Sequence, residues 1–130
     1  MNKNMKSLLI LSACGLTMHV SVASADVAQC QLAIDAAKLS TQGTEFLGAN
    51  SDKSLATLLG KLASAELKVS EGKFVDAVAK LMDYQAGVIA MADAAKPKLA
   101  LGDAYGVDGL ADGIGGLDGN AADAIAACSL

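Results

Sequence analysis

An apolar stripe that runs through two consecutive segments and turns back once between them constrains the fold more than any other feature. Leu55, Leu58, Leu62, Ala65 and Val69 recur at three- and four-residue spacing, and Leu59 widens the stripe. That is the period of one face of an α-helix. Asn50, Ser51 and Asp52 stand just ahead of it and offer capping oxygens. Gly72 falls just past the last apolar position, where a left-handed residue ends a helix. From near Lys73 a second stripe begins: Phe74, Ala77, Val78, Leu81, Tyr84, Val88 and Met91. Pro97 has no amide hydrogen and disfavours helix at Lys96, so this helix is expected to end near Ala94 or Ala95. The link Ser70–Lys73 is too short for anything but an antiparallel helical hairpin.

Upstream, Val27, Cys30, Ile34 and Ala37 repeat at three-four-three and mark an earlier helix. Thr41-Gln42-Gly43 weakens it and Gly48-Ala49-Asn50 breaks it, with Phe46 and Leu47 expected to fold back onto the core. The hydrophobic class makes up 53% of the 130 residues, yet Trp is absent and the aromatics are only Phe46, Phe74, Tyr84 and Tyr105. A core of Ala, Leu and Val suits closely packed helices and not an aromatic-rich β-sandwich. The expected fold is all-α: a small four- or five-helix bundle containing the hairpin, preceded by a signal peptide. Residues 1–25 are the expected signal peptide and 26–130 a single helical domain.

Residues 99–119 admit two readings. They hold seven glycines, and each Gly costs a helix roughly 1 kcal/mol relative to Ala. That load fits a flexible acidic loop. Against it, Gly102, Gly106, Gly109, Gly113 and Gly116 repeat at four-three-four-three, with Val107, Leu110, Ile114 and Leu117 in step beside them. The periodicity favours a helix whose glycine stripe lets a neighbouring backbone come close, with Asp108 and Asp112 on another face. Asn120 would then cap a last short helix with Ala121, Ile125 and Cys128 on its inner side.

The N-terminus reads as an export signal. Lys3 and Lys6 precede a mainly apolar run, Leu8 to Val20, and Ser21-Val22-Ala23-Ser24-Ala25 supplies small residues for a cut between Ala25 and Asp26. Leu11-Ser12-Ala13-Cys14 offers an alternative, a bacterial lipobox in which Cys14 is lipidated. The cut after Ala25 uses the whole three-region pattern and is preferred. Either processing leaves two cysteines, Cys30 and Cys128. In an oxidising compartment these are expected to pair and tie the first helix to the last. The location expected is periplasmic or secreted, or lipid-anchored to the envelope under the alternative.

Composition also narrows function. The chain has no Arg, and its one His, His19, lies in the expected signal. Without Lys3 and Lys6, eight Lys face fourteen acids and the net charge is −6. Such a balance repels phosphate backbones, so no nucleic acid is expected as partner. Missing His and Arg remove the usual general base, the usual transition-metal ligand and the bidentate anion clamp. The chain is therefore expected not to be an enzyme, and no cofactor or metal is expected. Asp108-Gly109-Leu110-Ala111-Asp112 lacks the ligand spacing of a calcium loop, and Gly115-Gly116-Leu117-Asp118 completes no calcium-binding nonapeptide. Ser54 and Lys61 do not have the spacing of a nucleophilic pair. Tyr84 and Tyr105 are expected at the edge of the core, hydroxyls in water. Asp103, Asp108 and Asp112 are expensive in hydrocarbon, which weighs against a membrane-active Ala/Gly-rich protein. A membrane is expected as partner only through lipidation at Cys14.

The hairpin Leu58-Leu59-x-Lys61-Leu62, Glu71-Gly72-Lys73 and Ala77-x-x-x-Leu81-x-x-Tyr84 resembles the FIMAH domain, a small helical module appended to secreted bacterial enzymes. The similarity covers residues 54 to 91, and the Gly-rich stretch departs from the family's second half. The resemblance implies a helical extracytoplasmic module that binds an envelope or extracellular protein or ligand instead of catalysing a reaction. It carries over no ligand residues, because the matched positions are core and turn positions.

The intact mass of the protein from its native host is expected to correspond to a chain starting at Asp26. A start at acylated Cys14 would place it on a membrane instead.

Overall fold

The structure, a computed structural model, describes residues 18–129, with side chains from Asp26 onward. All regular elements in that range are helices: α1 (Met18–Gln42), α2 (Ser51–Ser70), α3 (Phe74–Ala92), α4 (Leu101–Tyr105) and α5 (Gly116–Cys128). The four long ones form a ring in the order α1, α2, α3, α5, each packing on the next, while α4 bridges α3 and α5. Neighbours run antiparallel. The α2–α3 link is the tight turn expected, with Gly72 at φ +75°. Gln85, late in α3, meets Asp118 in the first turn of α5. Cys30, midway along α1, meets Cys128 at the end of α5.

The expected stripes form the core. Cys30, Ile34, Ala37, Leu58, Leu62, Ala65, Ala77, Leu81 and Val88 are completely buried, in one continuous cluster. Burial of such side chains is the main drive to fold, at about 1.5–3 kcal/mol for each large aliphatic. Phe46 joins them, but Leu47 points outward and is 42% exposed. Its backbone is otherwise engaged: Leu47 N donates to Lys98 O and fixes the α1–α2 link against the segment after α3. Helix α3 stops at Ala92, a turn earlier than Pro97 alone requires, because the segment from Asp93 peels off towards Leu99, which is buried.

Two tyrosines depart from expectation. Tyr84 is completely buried and Tyr105 is 3% exposed, so neither hydroxyl sits in water. Each has a protein partner instead. Thr41 donates its only hydroxyl hydrogen to Ala37 O, 2.7 Å away, so Tyr84 must donate to Thr41 Oγ1, also at 2.7 Å. Tyr105 donates to Asp93 Oδ1 at 2.9 Å. These pairings link α1 to α3 and α4 to the end of α3.

Residues 99–119 are not one helix. Only Leu101–Tyr105 and the stretch from Gly116 are helical, with an irregular loop between them. Asn120 is not a cap either, since the last helix starts four residues earlier, behind Gly115. Close backbone approach does occur, as the glycine spacing implied, but where the short helix α4 and Gly106 just after it cross Gly115 and the first residue of α5, and not along one long helix. A Cβ on Gly116 would lie 2.6 Å from Asp103 O, and Gly116 has φ +63°. No L-residue fits both constraints.

The Cys30–Cys128 disulfide is present, with Cα atoms 4.6 Å apart across 98 residues of sequence. Chain-entropy models assign closure of so long a loop roughly 4–5 kcal/mol. Replacing both cysteines by Ala is expected to lower the urea midpoint by the equivalent of several kcal/mol without changing helix content. Thr41→Val, which leaves the Tyr84 hydroxyl buried and unpaired, is expected to cost about 1–3 kcal/mol, more than Tyr84→Phe. Gly116→Ala is expected to destabilise by about 3 kcal/mol or more. Gly102→Ala, in open space within α4, is expected to be neutral or slightly stabilising.

Candidate functional site

The loop from Gly106 to Gly115 is the most distinctive surface of the molecule. Sequence periodicity sets Val107, Leu110 and Ile114 in step beside the glycines of an expected helix; that helix is not formed, and all three side chains are exposed. Val107 is fully exposed and Ile114 is 80% exposed, while Leu117, the fourth member of that stripe, is buried. Of the ten large apolar side chains that are exposed among the described residues, four lie between Leu101 and Ile114. Scattered exposed apolar residues are ordinary; four within fourteen residues of sequence are a local concentration.

The loop holds its shape through its own carboxylates. Asp108 Oδ1 accepts from Leu110 N and Asp112 Oδ1 from Ile114 N, each at 3.0 Å. Both are side-chain turns of the kind Asp favours two residues ahead of an amide. Asp108 and Asp112 thus shape the loop while remaining exposed. Among the described residues, no three His, Cys, Asp or Glu side chains gather in a group that could hold a metal ion.

Asp118 anchors the loop to the bundle. It is 1% exposed. Its Oδ2 accepts from Gly113 N at 2.7 Å and its Oδ1 from Gln85 Nε2 at 2.9 Å. Being in the first turn of α5, the carboxylate also faces the positive end of the helix. Gly119 leaves room for the contact: a Cβ there would lie 2.6 Å from Ile114 O. Sequence reading singled out neither Gln85 nor the role of Asp118. The available signal was the repeated Asp-Gly pair at 108, 112 and 118, since Asp-Gly is turn chemistry before it is helix chemistry.

The other candidate residues are dispersed. Ser54 is buried at the start of α2 while Lys61 lies two turns further on, so the two do not form a pair. Cys30 and Cys128 are structural; beside Cys128 a shallow apolar cavity of about 290 Å³ is lined by Phe74, Val75 and Val78. The backbone of α1 is helical across the Ala25–Asp26 junction. Cys14 lies outside the described residues. No described helix is long and apolar enough to cross a membrane. Comparison with protein-family models, curated proteins and solved structures yields no match for this chain.

Burial raises the phenol of Tyr84 to about 12, and burial together with the hydrogen bond to Asp93 raises Tyr105 to about 12, from 10.0. The folded state therefore favours the neutral phenols. Their contribution to stability is complete below pH 10 and is lost as pH rises through about 12. Alkaline titration is expected to show phenolate absorbance appearing together with loss of helix, both later than in the unfolded chain. Asp118→Ala is expected to cost about 1–3 kcal/mol and to speed amide exchange across residues 106–115 before the rest of the bundle.

Proposed function

We propose that this chain is an exported bacterial helical module that acts by binding and not by catalysis, in the periplasm or outside the cell. The observation that carries the reading is the pinned loop with Val107, Leu110 and Ile114 projecting outward. An apolar projection already ordered by its own hydrogen bonds loses little entropy when a partner covers it. Asp103, Asp108 and Asp112 lie in the same stretch of chain as the apolar tips, and no Lys follows Lys98. The partner is accordingly an envelope or extracellular protein surface with an apolar hollow and a basic rim.

Export draws support from two features. Among the described side chains, core packing begins at Val27 and Cys30, so a cut between Ala25 and Asp26 removes none of it. A buried disulfide between the first and last helices suits an oxidising compartment.

The test is site-specific photo-crosslinking in the native host. A crosslinker at Ile114 is expected to capture one envelope protein that a crosslinker at exposed Asp76, on α3, does not. The double variant Leu110→Asp/Ile114→Asp is expected to keep the melting temperature and weaken that complex at least about tenfold, because the apolar contacts are lost. Equal capture from both positions, or an unimpaired variant, would overturn the reading. Flotation of the native protein with lipid vesicles would favour membrane attachment instead.

A further inference from the structure

Helix α5 is held in a different way from the other long helices. Helix α2 buries Leu58, Leu62 and Val69, and α3 buries Leu81, Tyr84 and Val88. Helix α5 buries one large aliphatic, Leu117; Ala121 and Ala124 add little area, and Ile125 is only partly buried. Apolar stabilisation scales with area removed from water, so it is weakest for α5. The opening Gly116-Leu117-Asp118-Gly119-Asn120 is also poor in helix formers.

The polar ties divide in the same way. Lys38 pairs with Glu66 at 3.1 Å, and Tyr84 donates to Thr41. These join α1 to α2 and α1 to α3 without involving α5. Among the described residues, no side-chain hydrogen bond or ion pair joins α5 to α1; the Cys30–Cys128 bond does. At its other end α5 is joined to α3 by Asp118 and Gln85. With the disulfide cut, α1, α2 and α3 keep all their mutual ties and α5 keeps one. Asp118 also accepts from Gly113 N, so departure of α5 withdraws the anchor of the 106–115 loop.

We propose that the Cys30–Cys128 bond is a redox latch on the loop: in the dithiol state α5 and the loop open as one unit from a folded α1, α2 and α3, and in the disulfide state they cannot open alone. The open form is the minor one, so helix content is kept, but it is the form that a protease meets. The reductant is a small dithiol. Its two thiols become one disulfide, and their two electrons and two protons convert the Cys30–Cys128 bond to two thiols. Both cysteines are fully buried, and the cavity lined by Phe74, Val75, Val78 and Cys128 is the side from which a small reductant approaches. As control of a binding surface the latch rests on the function proposed above; its test reads α5 itself and needs no partner, so either can fail alone.

The test is native-state amide exchange of the full protein with and without dithiothreitol, with thiol alkylation reporting the state of both cysteines. The quantity read is the protection of the Ala121–Ile125 amides relative to those of α2 and α3. Global unfolding exposes all of them equally and cancels in that ratio. In the disulfide state the ratio is expected to lie within about threefold of one, and after reduction α5 is expected to be at least about tenfold less protected than α2 and α3. Cys30→Ala/Cys128→Ala is expected to reproduce the reduced ratio without dithiothreitol. A protease specific for acidic residues is expected to cut the reduced protein at Asp123, in α5, before Asp83, in α3; both are exposed on their helices. Protection lost equally from α5, α2 and α3, in the reduced protein or in the double variant, would make the bond a staple of the whole bundle and overturn the latch. A bond that survives dithiothreitol in native buffer would overturn it as well.

Discussion

The Cys30–Cys128 bond joins the helix that opens the ring to the helix that closes it. Helices α2 and α3 are held by a short turn and a continuous apolar seam, so they need no clamp. Helix α5 differs. It begins with glycines, contains Asn and Asp, and follows a long irregular crossing, so its own helix propensity is poor. It stays in place because its end is bonded to α1, while its beginning is held by Gln85 through Asp118. Everything the α3–α5 crossing does, including the outward turn of its apolar tips, depends on α5 being fixed at both ends.

Polar contacts inside the bundle set its register more than its stability. Apolar stripes of Ala, Leu and Val can slide by a turn at small cost. The pairing of Tyr84 with Thr41 cannot, because displacement would leave a hydroxyl buried and unpaired. The same holds for Asp118, whose two oxygens are committed to different elements. One pairing aligns α1 with α3 and the other aligns α3 with α5.

The parts that could be read from sequence were those governed by local periodicity. The hairpin, its glycine turn and the Val27–Ala37 stripe follow from spacing and chemistry within a few residues, and the cysteine pairing follows from the number of cysteines alone. Residues 99–119 could not be read that way, because two causes produce nearly the same spacing. Gly106, Gly115 and Gly116 are required where the backbone of α4 and its end cross the start of α5, and Asp108 and Asp112 each serve a local turn; together they imitate a helical period. Tyr84 and Tyr105 were misplaced for a different reason. Their partners are 43 and 12 residues away, and a hydroxyl's partner at such distances leaves no trace in local pattern.

The antiparallel ring has one further consequence. The disulfide and the α2–α3 turn occupy one end of the bundle, and Phe74, Val78 and Cys128 border a common hollow there. The 106–115 loop, the α1–α2 link and Lys96–Lys98 occupy the other. The molecule thus has a stem, where the disulfide and the α2–α3 turn lie, and a head that carries its distinctive surfaces. A tether or fused domain attached at the stem would leave the head facing away from it, free on every side.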